Sequence, residues 1–180
     1  AEPQNPLNDR ASVNLCFRNI EPYDRGLLAE TYRRLEILNE PPWVPDKSDW
    51  QKYDDEIFDE LEEEPEDEVF LTLIDGEPAG FASYHWQMDT ATVGRNCVLP
   101  KHGGRGIGLA QVDEILSRVD GKGIKHMVVV TGTHPFFEPA RRMYLSAGFD
   151  EQEVFDDGTG TGRSLIRYRL DLTKGVRDDT

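Results

Sequence analysis

The chain has 180 residues, a hydrophobic fraction of 37% and a formal net charge of −15, values that predict one globular domain with a substantial core. The excess of acidic residues argues against a nucleic acid or an anionic membrane as partner, because both carry negative charge themselves. No apolar run is long enough to span a bilayer, and the N-terminal segment lacks the basic and apolar regions of a signal peptide.

The first third of the chain predicts a strand followed by two helices. Residues 1–11 are polar and contain two prolines, so an irregular arm is expected there. The segment VNLCFRNI at 13–20 indicates a strand, and leucines near helical spacing indicate a helix from Pro22 to about residue 39. The prolines of NEPPWVP must end that helix, since proline cannot continue one. A second helix is predicted over about 47–63, with an apolar face opposite a very acidic one.

The remainder of the chain predicts a meander of strands and then alternating helices and strands. Residues 68–88 indicate two strands joined at Asp75-Gly76, a strong hairpin signal, and residues 90–100 indicate a third. After a glycine cluster, a single apolar face predicts a helix that ends near Asp120. The last predicted elements are a buried strand at 126–131, a helix at 138–149, and a hairpin with strands at 151–155 and 163–170.

The order of these elements defines the fold class. A helical crossover joins the strand before the glycines to the strand after them, so these two strands run parallel, whereas the meander is antiparallel. We therefore expect an α/β fold with a mixed, mostly antiparallel sheet of six to seven strands, forming one domain over 12–172 with a polar tail at 173–180. Cys16 and Cys97 do not make a disulfide framework, and are expected to be core thiols of a cytoplasmic protein.

A glycine-rich loop precedes the third predicted helix. Its glycines are Gly103, Gly104, Gly106 and Gly108. A strand, a glycine turn and a helix N-terminus form a general anion site, because glycine lets the backbone approach a ligand and the first helical N–H groups are unpaired. The spacing excludes a Walker loop, since Leu109 follows the last glycine, and a dinucleotide fingerprint, since the preceding strands are antiparallel. Arg105 and Lys101 add positive charge; a glycine turn without ligand is the alternative.

Two segments of the chain, VLPKHGGRGIGLA at 98–110 and PARRMYLSAGF at 139–149, carry a family resemblance. Together they resemble the GCN5-related N-acetyltransferase (GNAT) superfamily of acetyl-CoA-dependent enzymes. The first segment is similar to the loop that binds the coenzyme A pyrophosphate through backbone N–H groups, and the second to the block Asn-x-x-Ala-x-x-x-Tyr-x-x-x-Gly-Phe. Two positions depart from the pattern: Gly103 stands where Arg or Gln is usual, and Phe137 where Asn is common.

The resemblance implies the GNAT fold, with acetyl-CoA as co-substrate and no metal. In this fold a bulge splays the fourth strand from the fifth, and the pantetheine arm lies in the gap. A backbone N–H of Val98 or Leu99 is then expected to polarise the thioester carbonyl. The residues implied at the coenzyme are Cys97, Val98, Leu99, Gly103, Gly104, Arg105, Gly106, Ile107, Gly108, Leu109, Phe137, Ala140 and Tyr144.

The resemblance also implies a catalytic acid, whereas the base has several candidates. Tyr144 matches the tyrosine that protonates the coenzyme A sulfur in the family. The alternative is that its ring only packs against neighbouring side chains. The carboxylate that many relatives carry on the fourth strand is replaced here by Arg95 and Asn96. His85, on the face of the third strand that could line the cleft, is the candidate base, and a structural or surface histidine is its alternative. Further candidates are a water relay, Glu36, Glu40 and Asp89.

The acceptor wall is expected from the first two helices and the proline-rich segment between them. Aromatic surface and negative charge there together suit a cationic amine. The aromatic residues are Trp43, Trp50 and Tyr53, and the acidic residues are Glu36, Glu40, Asp46, Asp49, Asp54 and Asp55. The acidic stretch at 54–68 is alternatively a solvated face. The predicted function is an N-acetyltransferase acting on the primary amine of a small cationic molecule, with a protein or peptide amine as the alternative. An acyl-CoA sensor without catalysis is the alternative of another class, and a homodimer is the expected assembly.

Overall fold

A seven-stranded sheet organises the part of the chain that the computed structural model describes, namely residues 14–38, 41–43, 50–63 and 67–175. The strands are β1 (Leu15–Asn19), β2 (Glu68–Ile74), β3 (Glu77–Gln87), β4 (Thr90–Val98), β5 (His126–Gly132), β6 (Asp150–Asp156) and β7 (Ser164–Asp171). The α-helices are α1 (Ala29–Tyr32), α2 (Trp50–Glu63), α3 (Ile107–Val119) and α4 (Glu138–Ser146). The predicted arm at 1–11 and the end of the predicted tail lie outside the described residues.

The pairing of the strands confirms the predicted mixed sheet. The spatial order is β1-β2-β3-β4-β5-β7-β6, and every pair is antiparallel except β4 and β5. The parallel pair is the one that α3 connects, as a helical crossover requires. The hairpin between β2 and β3 turns at Asp75 and Gly76, both with positive φ, as the Asp-Gly pair predicts.

Helices cover both faces of the sheet, and each face has its own core. On one face Val112 of α3 packs with Met127 of β5. On the other face Ile57 of α2 packs with Phe81 of β3. Because side chains alternate along a strand, Phe81 and its neighbour Ala82 belong to opposite cores. In the described ranges, no helix is both long and apolar enough to cross a bilayer.

The segment predicted as one helix from Pro22 to residue 39 is divided into three shorter pieces. A 3-10 turn at Pro22–Asp24 is followed by α1 and by a second 3-10 turn at Arg33–Ile37. The break falls at Gly26, whose φ of +99° is left-handed. Its N–H and that of Leu28 donate to the two carboxylate oxygens of buried Asp54, at 2.7 and 2.8 Å. A tertiary contact from α2 therefore captures the N–H groups that an unbroken helix would use.

Replacing Asp54 with Ala is expected to lower the free energy of unfolding by roughly 2–3 kcal/mol, because two backbone N–H groups lose a charged acceptor. Denaturant unfolding of the purified protein measures this change. Asp59→Ala is the matched control on the same helix: its carboxylate is 66% exposed and pairs with Arg25, so a loss below about 1 kcal/mol is expected. Equal losses in the two variants would show that the Asp54 contact does not stabilise this turn.

One smaller prediction also differs from the structure. Cys97 is buried as expected, but Cys16 is exposed, because it points to the side of β1 opposite Leu15 and Phe17. Gly148 is expected from the sequence to stop the helix that begins at 138, and α4 does end at Ser146, just before Gly148 with its φ of +93°.

The feature that positions the site is the splay between β4 and β5. Their parallel ladder runs only from Thr90↔His126 to Val93↔Val129, although both strands continue beyond it. On the other side of β4, Ser83 pairs with Arg95 and Tyr84 with Val93, which leaves Gly94 as the extra residue of a β-bulge. The bulge bends β4 away from β5, so the predicted splay is present and a wedge opens between the strands.

Candidate active site

A cavity of 420 Å³ lies beside the end of β4, beyond the point where its ladder with β5 has stopped. It is lined by the end of β4, the glycine loop, the start of α3, and α4 with the turn that precedes it. Predicted coenzyme residues on its wall are Val98, Gly103, Gly104, Gly106, Ile107, Gly108, Leu109, Ala140 and Tyr144. The fold thus gathers nine residues from two distant segments around one space.

The glycine loop presents unpaired N–H groups to this cavity. Gly104 and Gly106 have φ of +71° and +79°, a conformation that side chains rarely adopt. Gly106 is the N-cap of α3 and offers no side-chain cap, so the N–H groups of the first helical turn are left for a ligand. Together with the helix dipole they form an anion site suited to a phosphate.

Arg105, unlike the loop glycines, does not line the cavity. Its guanidinium contacts His102 Nδ1 at 3.1 Å. Burial and the nearby charges of Lys101 and Arg105 lower the pKa of His102, so this residue is neutral at physiological pH and its Nδ1 can accept from Arg105. Gly103, the position that departs from the motif in the sequence, has an ordinary φ of −60°. The backbone does not require glycine there.

Tyr144 lies on the part of the cavity wall that α4 forms. It is 3% exposed, and its ring packs against Phe149 and Tyr168. Burial raises the pKa of its phenol to about 12, while a hydrogen bond from Asn96 acts in the opposite direction. Asn96 Nδ2 donates to the phenol oxygen at 3.4 Å, which leaves the phenol proton free to point into the cavity. The group is therefore a protonated acid at neutral pH.

A buried polar network holds Asn96 in place. Its Nδ2 also donates to Gly108 O at 3.1 Å, and its Oδ1 accepts from Gln111 Nε2. Gln111 is fully buried, and its Oε1 accepts from Thr72 Oγ1 at 2.7 Å. The chain of contacts from Thr72 to Tyr144 joins β2, α3, β4 and α4 at the cavity. Because each of these groups is buried or partly buried, the network fixes the phenol's partner in one orientation.

Replacing Gln111 with Leu is expected to lower the free energy of unfolding by about 1–3 kcal/mol, since Thr72 and Asn96 each lose a partner. Turnover should fall as well, because Asn96 is no longer held against Tyr144. Gln87→Leu at the exposed end of β3 is the control, and no comparable loss is expected there. A Gln111→Leu protein with unchanged stability would contradict the role given to the network. Denaturant unfolding and steady-state rates measure the two effects.

Several predicted residues lie outside the cavity wall. Leu99 N–H donates to Ala79 O at 2.8 Å and so faces β3. Cys97 packs in the core beneath α2, and Phe137 packs on Trp43 with ring centroids 5.3 Å apart. His85 is half-exposed, with Nδ1 3.6 Å from Asp67 Oδ1.

The predicted acceptor residues are dispersed. Trp43 lies against Phe137, whereas Trp50 is only 8% exposed and belongs to the core of α1 and α2. The side chain of Glu36 and the whole of Glu40 lie outside the described part of the chain. The backbone carbonyl oxygen of Asp89, a further candidate base, accepts from the N–H groups at the start of β5, at the end of the sheet where β4 and β5 are paired. Its carboxylate lies 3.7 Å from Lys125 Nζ.

The cavity wall also contains residues that were not predicted. Asn96 could have been proposed, because it is a polar residue that the strand pattern places beside the coenzyme gap. Arg34 and Phe136 carry no local signal, and only the folded structure brings them to the wall. His102 and Met143 lie inside the two motif segments, at positions that the motif leaves open. Among the described residues, no three His, Cys, Asp or Glu side chains are grouped so as to hold a metal ion.

Two splayed strands, an anion loop at a helix N-terminus and a buried tyrosine define a cleft for an acyl-CoA. The chain matches the family model "Acetyltransferase (GNAT) family" over residues 31–149. The chain therefore belongs to the GNAT family of acetyltransferases. This membership confirms the predicted fold, the N-acetyltransferase activity and acetyl-CoA as co-substrate.

Solved structures share the fold of this chain. A GNAT-family acetyltransferase from Desulfovibrio desulfuricans is 23% identical, with 88% of this chain and 99% of that chain covered and a TM-score of 0.70. YncA from Salmonella typhimurium, solved with its cofactor acetyl-CoA, is 18% identical, with 92% and 98% covered and a TM-score of 0.66. The ribosomal-protein-S18-alanine N-acetyltransferase from Escherichia coli is 19% identical, with 92% and 98% covered and a TM-score of 0.64. A search of curated proteins finds no match to the sequence.

Proposed function

We propose that this enzyme transfers the acetyl group directly from acetyl-CoA to the primary amine of a small molecule, with Tyr144 as the general acid. The observation that supports this most strongly is that one cavity joins the glycine loop to the Tyr144 phenol. The loop has the N–H groups for a pyrophosphate, and the phenol has the proton for a leaving thiolate. A pantetheine arm in the wedge would connect these two groups.

The backbone of β4 supplies a donor for the thioester carbonyl. Successive N–H groups of a strand point to opposite edges, and Leu99 N–H points towards β3. The N–H of Val98 therefore points to the other edge, where the ladder with β5 has already ended. We assign to Val98 the hydrogen bond that polarises the carbonyl, and this bond strengthens as negative charge develops on the oxygen.

The reaction then needs two proton transfers. The neutral amine attacks the carbonyl carbon, a C–N bond forms, and collapse of the tetrahedral intermediate breaks the C–S bond. Tyr144 gives its proton to the departing sulfur. Water carries the proton away from the amine, because no described residue on the cavity wall is a carboxylate. This relay, one of the sequence-based candidates, replaces His85, which lies outside the cavity.

The acceptor is proposed to be a small molecule that arrives as an ammonium cation and reacts as the neutral amine. The net charge of −15 favours the approach of such a cation. A protein amine is the second candidate, because two similar structures are the S18-alanine enzyme and the L7/L12 α-N-protein acetyltransferase RimL. A cytoplasmic location and a homodimer complete the proposal.

A thiol-release assay with acetyl-CoA and a broad amine panel tests the proposed function. Small primary amines should release coenzyme A thiol and gain one acetyl group, as mass spectrometry of the acceptor shows. Release only with peptides bearing a free N-terminus or lysine would transfer the proposal to a protein acceptor. Binding of acetyl-CoA without release from any amine would indicate a sensor and refute the proposed activity.

A further inference from the structure

Arg34 brings a positive charge to the cavity from the side of α1 and α2. Its side chain belongs to the cavity wall, and among the described lining residues it alone carries a permanent charge. Nη2 donates to Cys97 Sγ at 3.6 Å. Burial raises the pKa of Cys97 and Tyr144, and the charge of Arg34 opposes that rise at both. The guanidinium therefore lies close to the place where the thioester reacts.

The hydrogen bonds of this guanidinium are incompletely used within the described residues. A guanidinium has five donors that match the two oxygens of a carboxylate, whereas a neutral thiol is a weak acceptor. Nearby arginines do have carboxylate partners: Arg33 pairs with Glu30, and Arg95 pairs with Glu60. No described carboxylate pairs with Arg34. A partly buried arginine on a cavity wall without such a partner is suited to an anionic group of a ligand.

The anionic group that Arg34 would bind belongs to the acceptor. The pyrophosphate of coenzyme A is assigned to the glycine loop and the N-terminus of α3, and the pantetheine arm, which is the part of the coenzyme beside the thioester, is uncharged. From this we infer that the acceptor is an amino acid, whose carboxylate binds Arg34 while its amine faces the thioester beside Tyr144. The inference rests on the proposed function and specifies its substrate class.

The net charge of the protein favours a zwitterionic amino acid over a ligand that is negative overall. A chain with a net charge of −15 repels a ligand that is negative overall. An amino acid is neutral overall, so it approaches without this cost and still offers a carboxylate to Arg34. Its ammonium group is also attracted by the acidic residues from which a cationic acceptor was predicted.

Matched pairs of substrates test the inference. L-amino acids and their carboxamides carry the same amine and side chain, and only the acid offers two anionic oxygens. Thiol release is measured for each pair, and rates are expressed per neutral amine because the amine of the carboxamide is the weaker base. The wild-type kcat/KM should favour the acid by about 10–100-fold. Arg34→Ala should abolish that preference mainly through KM, and Arg34→Lys should restore part of it.

Arg33→Ala is the matched control, because this neighbouring arginine is exposed and pairs with Glu30 outside the cavity. It should keep the preference of the wild type, and acetyl-CoA binding by each variant shows that it is folded. Equal rates for acids and carboxamides in the wild type would overturn the inference while leaving the proposed function intact. An equal fall in kcat for both substrates in Arg34→Ala would overturn it too, and would place Arg34 at the sulfur. The absence of thiol release with both members of every pair would overturn the inference, whereas the proposed function fails only if no amine of the broad panel releases thiol.

Discussion

Replacing Tyr144 with Phe is expected to lower kcat by about 10²–10⁴-fold and to leave the affinity for acetyl-CoA nearly unchanged. Phe keeps the ring that packs on Phe149 and Tyr168, so the fold is retained. Only the phenol proton is lost, and the thiolate must then leave without an acid. Tyr168→Phe is the control, since this ring stacks on Tyr144 from β7 but does not line the cavity. Unchanged turnover of Tyr144→Phe at saturating acetyl-CoA would remove Tyr144 from the mechanism.

The pH dependence follows from the raised pKa of the same phenol. A group with a pKa of about 12 stays protonated, and so stays competent as an acid, throughout the range in which enzymes are assayed. Activity should therefore rise with pH as the acceptor amine loses its proton, and reach a plateau without an alkaline fall caused by Tyr144. A plot of kcat/KM against pH between about 6 and 10 measures this. A fall that is present in the wild type and absent from Tyr144→Phe would contradict the raised pKa.

Replacing Gly106 with Val is expected to weaken acetyl-CoA binding by about 10–100-fold. A β-branched residue at a φ of +79° costs about 1–3 kcal/mol of strain, which relaxation of the loop would relieve at the expense of the N–H cradle. Gly121→Val is the matched control, because Gly121 also has a left-handed φ, +74°, and lies in the turn that follows α3. The Gly121→Val protein should lose a similar amount of folding stability but keep the wild-type affinity for acetyl-CoA. Calorimetric titration with acetyl-CoA separates the two, and equal affinities would show that the loop does not hold the coenzyme.

The fold was largely predictable because its signals are local. The hairpin at Asp75 and Gly76, the apolar run of β5 and the glycines before α3 each depend on a few neighbouring residues. The parallel step then follows from chain order, since a crossover helix must separate parallel strands. The break at Gly26 was not predictable, because it depends on Asp54, a residue 28 positions away.

The candidate site was predictable where it consists of backbone, and less so where it consists of side chains. The glycine loop and Tyr144 carry motifs, so the resemblance could assign them. Arg34 and Phe136 reach the cavity from other segments without any local pattern. Trp50 illustrates the converse: an aromatic residue near the expected acceptor wall is buried in the core between α2 and its neighbours. Composition could suggest a charged acceptor wall but could not place the charges.

A crystal structure of the enzyme with acetyl-CoA tests the central claim most directly. The pyrophosphate should lie on the N–H groups of the glycine loop, and the pantetheine arm should fill the wedge between β4 and β5. The thioester sulfur should then lie within hydrogen-bonding distance of the Tyr144 phenol, with the carbonyl oxygen at Val98 N–H. Coenzyme bound outside the wedge, or a sulfur remote from Tyr144, would contradict the account.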